Sequence, residues 1–214
     1  LVVEVCDGKH VYRQKFERGN IVTDLEIVGD SEERGTTILF KADPEIFKES
    51  TVYNYDILKT RLREQAFLNA GIQIVLKDSR DPENVIEDDF KYEGGIKSFV
   101  EYIHKKRGFE VIHDDVVSFS GILPDGSASA EVALQYNDSY NELILSFANN
   151  IHTMDGGTHE DGFKRAFTRV INDYSRKYNL LKENDKNFSG DDVREGLTAI
   201  ISVKLRNAQF EGQT

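Results

Sequence analysis

Residues 129–149, Ser-Ala-Glu-Val-Ala-Leu-Gln-Tyr-Asn-Asp-Ser-Tyr-Asn-Glu-Leu-Ile-Leu-Ser-Phe-Ala-Asn, contain two runs in which apolar side chains recur at every second position. This period is typical of β-strands with one buried face. The apolar positions are Val132, Leu134 and Tyr136 in the first run and Leu143, Leu145 and Phe147 in the second. The mostly polar tetrapeptide 137–140 between them suits a turn. The stretch therefore predicts two antiparallel strands, 129–136 and 142–149, joined as a hairpin.

A long helix is predicted shortly after these strands. Thr158 suits the N-cap position, and Glu160 and Asp161 would lie in the first turn, near the positive end of the helix dipole. The apolar side chains that follow recur with a helical period and are Phe163, Ala166, Phe167, Val170, Ile171, Tyr174 and Tyr178. We therefore expect this helix to bury one broad face.

The same two patterns organise the rest of the chain. Strands are predicted at 2–5, 11–16, 25–28, 35–40, 72–76, 116–123 and 197–205, and helices at 55–69 and 96–108. Residues 78–92 are polar and acidic, and we expect them to form a long surface loop or a domain boundary. This mixture of strands and helices predicts an α+β fold.

Composition limits the class of protein. The chain has 214 residues, enough for one large domain or two small ones. Its 38 acidic and 27 basic residues give a net charge of −11, which argues against a histone-like, general nucleic-acid binder. The chain has no apolar run long enough to cross a membrane, and its single cysteine, Cys6, favours the cytoplasm. It begins at Leu1 without an initiator Met, and we expect a piece of a longer polypeptide.

Four groups of residues could carry chemistry, and each also has a structural interpretation. Gly35 and Thr36 could meet a nucleobase edge, because a Thr hydroxyl both donates and accepts, or Thr36 could simply favour a strand. The glycine-rich segment 155–159 could cradle a phosphate at a helix N-terminus, but its acidic neighbours favour a structural turn. Segment 190–196 offers carboxylates and an arginine for a metal or for acid–base chemistry, or else a capped helix with a local ion pair.

The fourth group is a basic stripe on the predicted long helix. Arg165, Arg169 and Arg176 lie within about 40° of one another, opposite the apolar face, at ~100° per residue. With Lys164 and Lys177 nearby, they could meet phosphates or form a solvated surface. Residues 153–214 hold ten acids and ten bases, so this part is the less unfavourable surface for a polyanion. The residues alone show no complete catalytic constellation.

Taken in order, these motifs resemble those of the ATPase subunits of bacterial type II topoisomerases, the family of the DNA gyrase B subunit and the topoisomerase IV E subunit. The matching segments run through nearly the whole chain and are 28–30 with 35–37, 55–58 with 61–64 and 67–69, 92–96, 149–151, 155–159 with 162–163, 190–197 and 213–214. The segments Asp-Gly-Gly-Thr-His (155–159) and Gly-Asp-Asp-Val-Arg-Glu-Gly-Leu (190–197) are the most specific. The second counts against a mismatch-repair ATPase.

The resemblance implies two domains and a set of binding residues. Residues 1–90 would be the C-terminal part of a GHKL ATPase α/β sandwich, and residues 91–214 a transducer domain with a fold like ribosomal protein S5 domain 2. Gly35 and Thr36 match the family motif that contacts adenine in ATP. Gln213 matches the first residue of a loop that reaches the γ-phosphate. Lys164 matches a basic residue of a central cavity, which gives the stripe a role in guiding DNA.

The family uses ATP and Mg²⁺ to close a dimeric gate around DNA, and its partner is the gyrase A subunit or the corresponding topoisomerase IV subunit. The family's general-base Glu, Mg²⁺-binding Asn and adenine-binding Asp would all precede Leu1, and the Lys of the γ-phosphate loop would follow Thr214. We therefore assign no catalytic residue and no metal ligand here, and expect the segment alone to be catalytically inactive. A non-catalytic transducer module that contacts DNA is the alternative, and both gyrase and topoisomerase IV remain open.

Overall fold

An antiparallel sheet occupies Leu1–Asn54 in the computed structural model, which describes residues 1–210. Its strands are β1 (Val2–Asp7), β2 (His10–Glu17), β3 (Asn20–Ile21), β4 (Glu26–Asp30) and β5 (Arg34–Leu39). Strand β1 lies between β2 and β5, and both β3 and β4 pair with β2. The β1–β2 turn contains Gly8 with a φ of 93°, a conformation open mainly to glycine. The predicted N-terminal hairpin is confirmed.

A second compact unit begins at Tyr55. Its elements are α1 (Tyr55–Leu68), β6 (Gln73–Asp78), β7 (Ile86–Lys91), α2 (Ile96–Arg107), β8 (Val117–Ile122), β9 (Ala128–Tyr136), β10 (Leu143–Ala148), β11 (Ile151–His152), α3 (Thr158–Lys177), α4 (Gly190–Arg194) and β12 (Leu197–Leu205). Strands β6 and β7 form a separate hairpin, and the other five form one sheet in the order β11-β10-β12-β9-β8. The mixed α/β character and most element positions agree with the sequence analysis.

The predicted hairpin between β9 and β10 is wrong, because β12 lies between these two strands. It pairs antiparallel with β9 and parallel with β10. Residues Leu197 to Val203 of β12 are all buried, as expected for a strand that is covered on both faces. The central position of β12 covers this mostly apolar run on both faces, which a position at the edge of the sheet would not do.

The predicted surface loop at 78–92 is only partly correct, because its second half forms β7 and pairs with β6. The acidic side chains of β7 find partners on neighbouring elements. Asp88 accepts a hydrogen bond from the Tyr55 hydroxyl at 2.7 Å and lies 2.8 Å from Lys59 Nζ. Asp89 accepts one from Gln73 at 2.6 Å. These long-range contacts stabilise a strand whose polarity alone favours a loop.

Two apolar clusters cover the two faces of the five-stranded sheet. The first contains side chains of α1, α2 and the sheet, among them Phe67, Phe99, Val100, Ala133, Phe147 and Ile200. The second contains alternate residues of the same strands, among them Val132, Leu134 and Ile201, with Phe163 and Phe167 of α3 packed against it. The sheet is therefore a central layer with α1 and α2 on one face and α3 on the other. The packing of Phe163 and Phe167 fixes the N-terminal half of α3 against the sheet.

The apolar face predicted for α3 is covered only at its N-terminal half. Phe163 and Phe167 pack on the sheet, whereas Val170, Tyr174 and Tyr178 are each more than half exposed. No helix in residues 1–210 is both long enough and apolar enough to span a membrane.

Candidate functional site

Gly35 and Thr36, the predicted adenine contacts, lie on β5 at the end of the N-terminal sheet. In the antiparallel register, Gly35 is opposite Cys6 and Thr36 is opposite Val5 of β1. Among the strands of the described chain, none pairs with the other edge of β5. The backbone N–H and C=O groups along that edge are therefore available to a ligand or to a further strand.

The fold of the N-terminal sheet does not itself require glycine at position 35. A Cβ built on Gly35 would meet no atom within 4 Å, and its φ is not among the positive values. All six residues of β5 are exposed, including Thr36. Open space beside Gly35 and an exposed hydroxyl on the next residue fit the close approach of a flat ring that needs one polar partner.

A glycine turn connects β11 to α3. Gly156 and Gly157 have φ values of 76° and 149°. Gly157 is the N-cap without any side-chain capping bond, so Thr158 is the first helical residue and the predicted Thr158 N-cap is wrong. His159 Nε2 lies 3.0 Å from Thr153 Oγ1, and a Cβ on Gly157 would lie 3.0 Å from the His159 ring. The glycines therefore serve a tight structural turn, which is the interpretation that the sequence favours.

Lys164 lies between two carboxylates. Its Nζ is 2.9 Å from Glu160 Oε1, one turn earlier on α3, and 3.1 Å from Glu142 Oε1, just before β10. Partial burial alone would lower the pKa of Lys164, but the hydrogen bonds with Glu160 and Glu142 outweigh it and hold the pKa above its usual value. The ammonium group stays charged, and much of that charge is balanced within the protein.

Arg194 joins the same group from α4. Its Nε donates to Glu142, and its Nη2 lies 3.1 Å from Asp191 Oδ1. Ser189 and Asp192 form a capping box at the start of α4, in which each side chain accepts a hydrogen bond from the other residue's backbone N–H. The capped helix with a local ion pair, one of the two interpretations of this segment, is confirmed.

Glu142 connects helix α3 to helix α4. It binds Lys164 on one side and Arg194 on the other, and Lys164 leads to Glu160, which accepts a 2.7 Å hydrogen bond from Ser146. Burial alone would raise the pKa of Glu142, but its bonds with Arg194 and Lys164 outweigh burial and lower it. The sequence analysis missed Glu142, because Arg194 is 52 positions away. Only the spacing of Glu160 and Lys164, one helical turn apart, gave a local signal.

Arg165 and Arg169 are the exposed members of the basic stripe. The Arg165 side chain is 85% exposed, and within the described chain its only ion pair is a 4.0 Å contact with Asp161. Arg169 is exposed and forms no ion pair with another described residue. Together with Lys164 and Arg194, they line an open groove of about 550 Å³ between α3 and α4.

Arg176 has a different role from the rest of the stripe. Its Nε and Nη2 donate to Asn187 Oδ1 at 3.2 and 2.8 Å. Nη2 also donates to the Asp185 carbonyl at 2.5 Å, and Nη1 donates to the Lys182 carbonyl. The guanidinium group therefore holds the loop after α3, and it is not one of the described side chains that line the α3–α4 groove.

Two further predictions concern nucleotide and metal. Gln213 lies outside the described residues, so its contact with the γ-phosphate stays a prediction. Within residues 1–210, no group of three or more His, Cys, Asp or Glu side chains is placed to hold a metal ion. The Mg²⁺ of the ATP complex therefore remains an implication of the resemblance.

Comparison with known proteins shows which family the chain resembles. A family model described as DNA gyrase B matches residues 95–214. The DNA gyrase B subunit of Clostridium acetobutylicum is 57% identical over 212 residues, covering 99% of this chain and 32% of its own. The DNA gyrase B subunit of Halalkalibacterium halodurans is 53% identical over 214 residues, covering 100% of this chain and 33% of its own. The chain thus spans about a third of the length of the curated relatives it matches.

Solved structures agree with the sequence relatives. The 43K ATPase domain of Thermus thermophilus gyrase B, solved with an aminocoumarin, has a TM-score of 0.83 and 38% identity, covering 99% of this chain and 56% of that one. A topoisomerase IV ATP-binding domain of Francisella tularensis has a TM-score of 0.75 and 26% identity, covering 100% and 56%. Since the family model covers more than half of the chain, the chain belongs to the DNA gyrase B family.

Proposed function

We propose that this chain is part of the ATPase region of a DNA gyrase B subunit, an ATP-dependent type II DNA topoisomerase. In the full-length protein it would couple ATP binding and hydrolysis to closure of a DNA gate and strand passage. The observation that carries the proposal is 57% identity over 99% of the chain to a gyrase B subunit. The topoisomerase IV alternative is not favoured, because the curated relatives at 57%, 53% and 51% identity are gyrase B subunits.

The proposed domains are the C-terminal part of a GHKL ATPase domain at 1–90 and an S5-like transducer domain at 91–214. The start of the family-model match at residue 95 supports a boundary in this region. Compactness groups α1 and the β6–β7 hairpin with the elements that follow them. In this proposal, α1 and that hairpin belong to the ATPase domain in sequence and are packed with the transducer sheet.

For the nucleotide, Gly35 and Thr36 would hold the adenine of ATP. The support is the open space beside Gly35 and the exposed position of Thr36 on an edge strand. ATP with Mg²⁺ would supply the phosphoryl group and its charge neutralisation, with Gln213 at the γ-phosphate. Since we assign neither a general base nor a metal ligand to residues 1–214, we expect the chain alone to hydrolyse no ATP above a buffer blank.

For DNA, Arg165 and Arg169 would make the phosphate contacts. Both are exposed beside the α3–α4 groove, whereas Lys164 is balanced by two carboxylates and Arg176 is used in a loop. Of the four basic candidates for DNA contact, the proposal therefore keeps Arg165 and Arg169 as direct phosphate contacts and gives Lys164 and Arg176 structural roles. The gyrase A subunit and a second copy of the full-length subunit would be the protein partners. The single Cys6 agrees with a bacterial cytoplasmic location.

Adjacent threonines give a matched test of the adenine contact. Thr36 and Thr37 are consecutive on β5, so their side chains point to opposite faces of the sheet. In the full-length subunit, we expect Thr36→Ala to weaken binding of a non-hydrolysable ATP analogue by about tenfold, as for the loss of one or two hydrogen bonds. Thr37→Ala should leave binding unchanged. Equal affinities of both variants and the unmodified subunit, measured by calorimetry, would count against Thr36.

The two roles within the basic stripe can be separated by salt dependence. We expect Arg169→Ala to reduce DNA affinity and to reduce the slope of log affinity against log salt by about 0.9, one phosphate contact. Its thermal stability should not change, because Arg169 has no ion pair to lose among the described residues. Arg176→Ala should lower stability and leave the slope unchanged. A fluorescence titration of DNA binding at several salt concentrations measures the slope for each variant. A reduced slope in Arg176→Ala together with an unchanged slope in Arg169→Ala would mean that Arg176 contacts DNA and Arg169 does not.

A further inference from the structure

The turn between β10 and β11 consists of two asparagines. Asn149 and Asn150 have φ values of 49° and 66°, and they join the paired residues Ala148 and Ile151. A two-residue hairpin turn with both residues left-handed favours Asn or Gly. Backbone geometry therefore explains why both positions of the turn favour Asn or Gly. It does not explain why each of the two side chains binds a different element.

Asn149 binds the end of β12. Its backbone N–H donates to the Val203 carbonyl at 2.8 Å. Its side-chain Oδ1 accepts from the Leu205 N–H at 2.7 Å, and its Nδ2 donates to the Leu205 carbonyl at 3.0 Å. The side chain thus imitates a peptide unit and extends the parallel β10–β12 pairing beyond its last pair, Ala148 and Val203. It fixes the last residue of β12, from which the chain continues to the segment after 205.

Asn150 binds helix α1. The Gln65 side-chain amide donates to the Asn150 carbonyl at 2.9 Å, and Asn150 Nδ2 donates to Asn69 Oδ1 at 3.1 Å. Asn69 in turn donates through its side-chain amide to the Gln65 backbone carbonyl at 2.8 Å, which closes a ring of hydrogen bonds among three residues. Asn150 Oδ1 is buried without a partner among the described residues. A buried oxygen without a hydrogen bond costs stability. The conformation of the Asn150 side chain is therefore set by the residues around it, and not by a hydrogen bond to its own oxygen.

We propose that Asn149 and Asn150 are positioning residues that hold the end of β12 in place relative to helix α1. The inference rests on the proposed function, in which Gln213 of the segment after β12 reaches the γ-phosphate. The end of β12 is also paired with β9 through Leu205 and Ala128. Because a two-residue turn is short and stiff, a shift of the end of β12 relative to α1 breaks one of the two sets of hydrogen bonds that the asparagines form. The turn would therefore set where the phosphate-contacting segment starts, without itself touching the nucleotide.

The test uses the full-length subunit with its partner subunit and DNA. We expect Asn149→Ala to lower kcat for ATP hydrolysis by about tenfold, the effect of two ordinary hydrogen bonds, while KM for ATP stays within about twofold. Asn149→Asp keeps the acceptor for the Leu205 N–H and loses the donor, so it should give an intermediate kcat. Asn141→Ala is the matched control, since Asn141 is exposed just before the same strand. It should leave kcat unchanged.

The second set of hydrogen bonds gives an independent test. Asn69→Ala removes the Asn69–Asn150 hydrogen bond on the α1 side of the turn without touching β12, and we expect a loss of kcat in the same direction with KM preserved. A purely structural role would instead lower the melting temperature of both variants and leave kcat intact, which would overturn the inference. If Asn149→Ala does not fold, Asn149→Asp and Asn69→Ala decide the question by the same criterion.

The same measurements distinguish failure of the proposed function from failure of the positioning role of Asn149 and Asn150. An unmodified full-length subunit that hydrolyses no ATP would overturn both proposals. Normal hydrolysis by the unmodified subunit, with wild-type kcat in Asn149→Ala and Asn69→Ala, would overturn only the positioning inference.

Discussion

The N-terminal sheet and the C-terminal unit differ in how far they bury their apolar side chains. In Leu1–Asn54, all of which is described, Ala42 is the one apolar residue that counts as buried, at 9% exposure. Phe40 in this unit is 57% exposed. In the C-terminal unit, apolar clusters cover both faces of a five-stranded sheet, and Phe147 is only 1% exposed.

Within the described chain, the N-terminal strands pair without a core of their own, whereas the C-terminal strands pair around two apolar clusters. The register of β1 with β2 and with β5 shows no shift, so backbone hydrogen bonds organise the N-terminal sheet, together with cross-strand ion pairs such as that between Glu4 and Arg13. Such bonds give modest net stability, whereas buried apolar area supplies most of it. The predicted adenine contacts Gly35 and Thr36 thus lie on the unit without a core. The network around Glu142 lies on the unit with one.

The largest contrast is expected from matched phenylalanines. Phe147→Ala removes a fully buried ring from the first apolar cluster and should destabilise the C-terminal unit by about 3–5 kcal/mol. Phe40→Ala removes a ring that is more than half exposed and should cost well under about 1 kcal/mol. Chemical denaturation of the purified chain measures both. Equal costs would mean that the N-terminal sheet is as well packed as the C-terminal one.

A matched pair of glycines sharpens the same comparison. Gly196 has a φ of 70°, and a Cβ there would lie 2.6 Å from the Asn137 carbonyl oxygen and 2.9 Å from that of Ser139. Gly196→Ala should therefore cost about 3 kcal/mol of stability, because the clash involves backbone atoms. Gly35→Ala should cost almost none, since the space there is open. It should instead weaken nucleotide binding. Loss of stability in Gly35→Ala would show that position 35 is structural after all.

The smallest effect is expected from the polar network. The pKa values of Glu142 and Glu160 lie below their usual value, because the bonds to Arg194, Ser146 and Lys164 outweigh burial. Their contribution to stability is therefore complete above the ordinary carboxyl pKa of 4.5 and is lost as the pH falls through the lowered values. Glu142→Gln should remove about 1 kcal/mol at pH 7 and flatten the decline in acid.

An exposed carboxylate provides the control for that network. Glu195 is exposed next to Arg194 in sequence, and Glu195→Gln should change neither the stability at pH 7 nor its acid decline. Thermal unfolding between pH 7 and pH 3 makes the comparison. An acid decline that is the same in Glu142→Gln and the unmodified chain would remove Glu142 from its role in stability.

The sequence predicted elements well wherever the signal was local. The helix at Thr158–Lys177 and the strands β9, β10 and β12 lie close to their predicted bounds, because period and turn residues act within a few positions. The family also followed from the sequence, through the segments 155–159 and 190–197. Gly35, Thr36 and the arginines of the stripe were singled out from the sequence as well, and their roles in binding stay predictions.

The sequence mispredicted features that depend on distant partners. The β9–β10 hairpin failed because the pattern of 129–149 does not show that β12 will separate the two strands. The strand β7 was missed because Asp88 and Asp89 look like loop residues until Tyr55 and Gln73 are beside them. Glu142 carried no local sign of its role, because its partner Arg194 is 52 positions away.

The sequence by itself determined which segments are helices and strands, which faces of them are apolar, and to which family the chain belongs. Only the tertiary structure decided the order of strands, the pairing of Lys164 with two carboxylates and the loop-holding role of Arg176. The reason is physical. Secondary structure follows from interactions between residues a few positions apart, whereas strand order and charge pairing depend on which distant segments together bury the most apolar surface and satisfy the most polar groups.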